Sequence, residues 1–297
     1  MPELPEVESI RRQLEPVLVG RRFDRVRIDD RRLVRPYEPA EVEAELQGER
    51  VAEVGRRGKY LVVWFESGRV LLIHLRMTGS LLHAPGGSLV QDPHRRAVVT
   101  LEDGSDVAYR DVRRFGTWLL LEPGEAEPYL QARVGDEPLD AIFTAARLGE
   151  RLAGRRTSLK AALLDQRTLA GLGNIYVDEA LWRARLSPRR PAAGLDRNEL
   201  RRLHRGIRAA LQHGLDRQGS TLRDYRLPDG SGGAMQDEFR VYGRRDEPCD
   251  RCGTPIARTQ VAGRTTWFCP TCQPENLPQA ASSSSSRPSR SRRQSSV

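Results

Sequence analysis

Apolar side chains recur at helical spacing from the start of the chain. Val7, Ile10, Leu14, Val17 and Leu18 follow Pro5, whose fixed φ suits a first helical turn, so a helix is predicted there. Short β-like runs come next, including Tyr60–Phe65, Val70–Leu75, Ala97–Leu101 and Thr117–Leu121. The turn signals Glu66-Ser67-Gly68 and Glu102-Asp103-Gly104 separate two pairs of these runs and predict hairpins. Many short strands closed by turns predict a sandwich or barrel over residues 1–134.

Near Gly135-Asp136-Glu137-Pro138 the period becomes helical and stays so to about Gly214. The clearest segment starts at Asp196, an N-cap with Glu199 after it, and runs through Leu200, Leu203, Ile207 and Leu211. Residues 219–238 are polar and carry Gly230, Gly232 and Gly233, which predicts a functional loop or local disorder. A cysteine module spans 239–273. Residues 274–297, with Ser282–Ser286 and an Arg/Ser-rich end, read as a disordered low-complexity tail. The expected fold class is therefore α+β and multidomain: a β-sandwich with flanking helices, a helical domain over 135–228, and a small module closed by cysteines.

Composition narrows the function. Hydrophobic residues are 38% of 297, enough for a core, and no apolar run is long enough for a membrane helix. The opening Met1-Pro2-Glu3-Leu4-Pro5-Glu6 is acidic where a secretory signal is basic, so the expected compartment is the cytoplasm. The net charge is +9; the tail from residue 273 holds +3 of it, so the body is basic without its tail. Such a surface favours polyanions, and nucleic acid is the commonest one in a cytosol. Only Lys59 and Lys160 are lysines, against 47 arginines. A surviving lysine marks a place where a guanidinium cannot substitute, because an ammonium is compact and can lose its proton on burial.

All four cysteines lie in Cys249-x2-Cys252-x16-Cys269-x2-Cys272, the spacing of a zinc site. Four thiolates complete a tetrahedron and leave no open position, so one structural Zn2+ is expected, not a catalytic metal. Val261–Phe268 between the pairs reads as a hairpin with Arg264 near its turn.

The opening Pro2-Glu3-Leu4-Pro5-Glu6-Val7-Glu8, with this zinc module, resembles the formamidopyrimidine-DNA glycosylase and endonuclease VIII family. The resemblance continues through Lys59-Tyr60-Leu61, His74-Leu75-Arg76-Met77-Thr78-Gly79-Ser80 and Asp111-Val112-Arg113-Arg114-Phe115-Gly116. It runs on through Gly171–Glu179 and Val241-Tyr242-Gly243-Arg244, covering all but the tail. Leu4 and Gly219-Ser220-Thr221-Leu222 resemble the branch that removes oxidised purines. The resemblance implies a bifunctional DNA glycosylase and abasic-site lyase of base excision repair, acting as a monomer on double-stranded DNA with oxidised bases or abasic sites. It needs no diffusible cofactor. Removal of oxidised pyrimidines, or damage binding without catalysis, are the alternatives.

Residue by residue, Met1 removal would leave Pro2 as a secondary amine, partly neutral at pH 7 and able to attack a deoxyribose C1′. Glu3 adjoins it as general acid/base, and Glu6 is implied as a supporting carboxylate. The resemblance assigns Lys59 to β-elimination and Arg264 to δ-elimination; as a poor proton donor, Arg264 suits a phosphate clamp better. It places Asn174 at a helix–two-turn–helix element where exposed N–H groups bind phosphate. His74, Arg76, His94, Arg113, Arg155 and Lys160 are implied as DNA contacts. Met77, Arg113 and Phe115 resemble the side chains that fill the space left by an extruded base. The resemblance places residues 219–238 as a mobile loop over that base, whose edge Ser220, Thr221 and Tyr225 are expected to read through backbone and hydroxyl groups. The chain departs from the family pattern at Val112, usually Pro, and at Gln218-Gly219, usually a Gly pair. The basic tail lies outside the resemblance and is expected to add nonspecific DNA affinity.

Overall fold

The computed structural model describes residues 1–88 and 92–275, so most of the expected tail lies outside the described residues. Helix α1, Leu4–Leu18, opens the chain. After it come strand β1 (Phe23–Ile28), helix α2 (Pro39–Leu46) and strands β2 (Val51–Arg57), β3 (Tyr60–Phe65) and β4 (Val70–His74). Strands β5 (Gly79–Pro85), β6 (Arg95–Leu101), β7 (Ser105–Asp111) and β8 (Thr117–Leu121) complete two four-stranded antiparallel sheets, ordered β1-β6-β7-β5 and β2-β3-β4-β8. They pack face to face over Leu14, Phe23, Leu61, Val63, Ile73, Val99 and Val107. The second sheet is covered on its other face as well, where Val62 and Leu72 meet Leu130, Val134 and Ala170. Cover on both faces is why Val70–Ile73 reads as an unbroken apolar run.

One expected hairpin is corrected. The turn at Glu102-Asp103-Gly104 joins β6 to β7, whereas Thr117–Leu121 pairs with β4 in the other sheet. Strand β7 escapes a hydrophobicity reading because it carries Asp106, Arg110 and Asp111. Asp106 is nevertheless buried, accepting from Gly87 N–H at 2.7 Å and Thr100 Oγ1 at 2.8 Å.

Five helices follow: α3 (Ala126–Gln131), α4 (Ala145–Leu152), α5 (Leu159–Leu164), α6 (Asn174–Ala184) and α7 (Arg197–Asp216). Asp196 caps α7 as read, accepting from Glu199 N–H at 2.8 Å. A second core forms on Leu148, Leu159, Tyr176, Leu181, Leu203 and Ile207. Helix α1 joins the two cores: Leu4 packs in the helical one, while Val7, Ile10 and Leu14 pack in the sandwich. The first turn of α1 therefore lies at the seam. The chain closes with β9 (Ala257–Val261) and β10 (Arg264–Phe268), joined by a two-residue turn in which Ala262 and Gly263 both have positive φ. Among the described residues no helix is long and apolar enough to cross a membrane.

Candidate active site

Two cavities open at the seam, of about 220 and 370 Å³, and both are lined by Met1, Met77, Ile175 and Leu222. The smaller is also lined by Pro2, Glu6, Arg113, Ser220 and Tyr225. The larger takes in Glu3, Lys59, His74, Arg76, Asn174 and Arg264. The fold thus gathers residues from α1, the β2–β3 turn, β4, α6 and the C-terminal hairpin around the first residues of the chain.

Glu3 is 2% exposed, and its carboxylate serves the start of α6. Oε2 accepts from Gly173 N–H at 2.7 Å and Oε1 from Ile175 N–H at 2.9 Å. Burial raises its pKa, against the lowering effect of Lys59. Glu6 is equally buried. Its Oε1 accepts from Tyr176 Oη at 2.9 Å and Ser220 N–H at 2.8 Å, and its Oε2 from Glu3 N–H at 2.9 Å. It fastens the start of the 219–238 loop to the start of the chain. Burial lowers the pKa of Lys59, with Glu3 and Glu6 opposing and Arg264 reinforcing that shift. Lys59 is therefore a buried amine that gives up its proton more easily than a surface lysine.

His74 is buried, its Nδ1 accepting from Arg76 N–H at 3.0 Å. Burial, then the charges of Arg76 and Lys59, pull its pKa down to about 3, so it is neutral. Asn174 donates from Nδ2 to Thr265 O at 2.9 Å, and its Oδ1 is buried without a partner among the described residues. Arg264 stands exposed at the mouth beside that contact. Met77 is half-buried, and Phe115 is 51% exposed with the Arg113 guanidinium 4.8 Å from its ring centre. The loop bearing Arg113 and Phe115 is shaped by Asp111, which accepts from Phe115 N–H at 2.9 Å and Gly116 N–H at 2.8 Å. Thr78 buttresses it, donating to Asp111 and accepting from Arg113 N–H at 3.0 Å.

The remaining expected residues have other surroundings. Lys160, expected at the DNA, is fully buried, with Nζ 2.7 Å from Asp178 Oδ1 and 3.1 Å from Thr265 O. An interior ammonium needs such partners, so it faces inward. Tyr225 lines the smaller cavity, and its hydroxyl, 3.1 Å from Gln218 O and 3.2 Å from Glu6 O, anchors the loop to α1. Thr221 Oγ1 is likewise held within the loop, between Tyr225 O and Gly233 N–H. His94 and Arg155 line neither cavity; Arg155 pairs with Asp165 at 3.0 Å. Gln218 takes φ +57°, a left-handed conformation that glycine adopts without strain. Sequence reasoning misses Thr78, Asp111, Tyr176 and Asp178 as individual residues. Their positions inside the recognised motifs are the available signal.

The sulfurs of Cys249, Cys252, Cys269 and Cys272 lie within 4.8 Å of one another. The Cys252–Cys269 separation is 3.5 Å and the Cys249–Cys272 separation 4.0 Å, too long for disulfides. Zinc–sulfur bonds of about 2.3 Å in a tetrahedron place sulfurs about 3.8 Å apart, so the four thiolates fit one structural zinc. Trp182 Nε1–H reaches Cys249 Sγ at 3.4 Å, fastening the module to α6.

The chain matches three successive family descriptions. These are the formamidopyrimidine-DNA glycosylase N-terminal domain over residues 1–118, its H2TH domain over 134–226, and the zinc finger found in FPG and IleRS over 246–274. This protein belongs to the formamidopyrimidine-DNA glycosylase family. A formamidopyrimidine-DNA glycosylase of Roseiflexus sp. (strain RS-1) is 47% identical over 92% of this chain and 100% of its own length. One from Symbiobacterium thermophilum is 48% identical over 98% and 95%. The crystal structure of the MutM (FPG) protein of Thermus thermophilus superposes with a TM-score of 0.82 at 45% identity, covering 93% of this chain and all of that one. Lactococcus lactis Fpg in complex with abasic-site DNA gives 0.85 at 36% identity, covering 92% and 99%.

Proposed function

We propose that this family member is a bifunctional glycosylase and abasic-site lyase that removes oxidised purines, such as 8-oxoguanine and formamidopyrimidines, from duplex DNA in base excision repair. It acts as a monomer in the cytoplasm. The observation that carries the reading is the meeting of Pro2, Glu3, Lys59 and Arg264 at two adjoining cavities that share Met1 as a wall.

Removal of Met1 frees the Pro2 nitrogen and opens the two cavities toward each other. The amine attacks C1′, the C1′–base bond breaks, and the base leaves with a proton. Glu3, kept protonated to higher pH by burial, donates to the ring oxygen as the C1′–O4′ bond opens to an iminium. The iminium acidifies the C2′ proton. The carboxylate that Glu3 has become takes that proton as the C3′–O bond breaks, with Lys59 donating to the departing phosphate. The Lys59 amine so freed takes the C4′ proton as the C5′–O bond breaks in the second elimination, with Arg264 on the phosphate. His74, Arg76, Arg113 and Asn174 face the DNA, with His94 and Arg155 engaging its backbone farther out. Met77, Arg113 and Phe115 fill the gap in the stack. Glu6 and Ser220 set the loop over the extruded base.

The test is borohydride trapping on two duplexes, one with 8-oxoguanine opposite cytosine and one with an oxidised pyrimidine, using wild type and Pro2→Gly. A Pro2-dependent adduct that forms faster on 8-oxoguanine is expected. Preference for the pyrimidine would move the protein to the sister activity. Tight binding with no adduct, once mass spectrometry has shown Met1 absent, would make it a reader of damage and sink the proposal.

A further inference from the structure

Against 47 arginines the chain keeps two lysines, and the fold buries both: Lys59 at the larger cavity and Lys160 out of contact with solvent. Lys160 and its partner Asp178 meet the C-terminal hairpin at its free edge. In β10, Arg264 pairs with Val261 across the two-residue turn, so the backbone groups of Thr265 and Trp267 face away from β9. Those outward groups are taken by side chains of the helical domain. Thr265 O accepts from Lys160 Nζ at 3.1 Å and from Asn174 Nδ2 at 2.9 Å, and Trp267 N–H donates to Asp178 Oδ2 at 3.0 Å. The pair closes on itself at 2.7 Å. It stands in for a missing third strand, one residue and three residues beyond Arg264. The turn at Ala262-Gly263 holds the strand from the other side.

A compact ammonium fits this junction. A guanidinium would bring five donors in a rigid plane to a site whose acceptors are one carboxylate oxygen and one carbonyl. We propose that the buried Lys160–Asp178 pair is a positioning device for Arg264: it fixes where the zinc hairpin delivers that guanidinium at the mouth of the cleft, and so governs the second strand-cleavage step. This inference rests on the strand-cleavage reading above. Lys160 and Asp178 touch no substrate; they act through the backbone on either side of Thr266.

The experiment uses the full zinc-loaded chain on an abasic-site duplex under single turnover, scoring borohydride adduct, the ratio of δ- to β-elimination product, and zinc per chain. Asp178→Asn weakens the pair but leaves a buried charge. Lys160→Met/Asp178→Leu removes both anchors with no unpaired charge, and keeps the test open if the single variant fails to fold. The double variant is expected to keep its zinc and its adduct rate within about twofold, while the δ-to-β ratio falls by about tenfold or more, the scale of a small misplacement. In an Arg264→Ala background the same double change is expected to have no further effect. An unchanged ratio with zinc retained overturns the proposal, as does a fall that persists without Arg264. Loss of zinc or of folding in both variants also overturns it, by making the pair a structural anchor alone. No adduct with wild type would sink the strand-cleavage reading itself, and this one with it.

Discussion

The carboxylate of Glu3 lies 2.7 Å from the N–H of Gly173, a residue 170 positions away, and so closes the amino end of α6 across the seam between the two cores. A carboxylate at a helix N-terminus meets both unpaired N–H groups and the positive end of the helix dipole. The group proposed as general acid is thus held by the helix that carries Asn174. Glu3→Gln keeps an acceptor but removes the acid, so formation of the iminium, read as borohydride adduct, is expected to fall by about 10²–10⁴-fold. Stability should change by only about 0.5–2 kcal/mol, the scale of a cap. Because burial raises the Glu3 pKa, the acid form persists above the ordinary carboxyl range and is lost as pH rises through the raised value. A rate–pH profile should show that descending limb in wild type and not in the variant.

Gly173 has φ −132°, which any residue adopts, but a Cβ there would meet the Glu3 carboxyl. Gly173→Ala is therefore expected to displace Glu3 without straining its own backbone. Single-turnover adduct formation should drop by up to about 100-fold. Zinc content should stay unchanged. Adduct formation equal to wild type would show that the contact does not hold Glu3 in place.

Half-exposed Phe115 contributes little to the core. Phe115→Ala should shift stability by less than about 0.5 kcal/mol. Loss of a stacking ring costs about 1–3 kcal/mol, so affinity for a lesion duplex should weaken roughly tenfold or more in titrations at fixed salt.

His74 is held neutral, its pKa lowered to about 3 by burial and then by Arg76 and Lys59. An unfolded histidine titrates near 6.5, so between those values the unfolded chain binds the extra proton. The stability linked to His74 is complete above about pH 6.5 and is lost as pH falls toward 3, with a slope approaching about 1.4 kcal/mol per pH unit. Denaturant melts at several pH values should show that slope flatten in His74→Gln.

Chelation of the zinc removes the brace on which β9 and β10 stand. Structural zinc contributes on the order of 10 kcal/mol to a small module. The chelated protein is expected to lose δ-elimination and to shift its tryptophan fluorescence, through Trp182 and Trp267, while helical circular dichroism from α6 and α7 survives.

Local chemistry made much of this protein legible from the sequence. The cysteine spacing announced the tetrahedron, Asp196 and Glu199 announced α7, and the apolar positions after Pro5 announced α1, because each signal lies within a few residues of what it determines. The motifs likewise pointed to Glu3, Lys59 and Arg264. The tertiary structure decided what those residues touch. Strand β7 hides behind charges that find buried partners, and Lys160 turns inward to Asp178. Tyr225 leaves its loop for the sandwich core, and Glu3 caps a helix in the other half. The last two depend on two cores packing against one N-terminal helix. The energy of such a contact comes from burial and pairing between residues far apart in the chain, and no local pattern carries it.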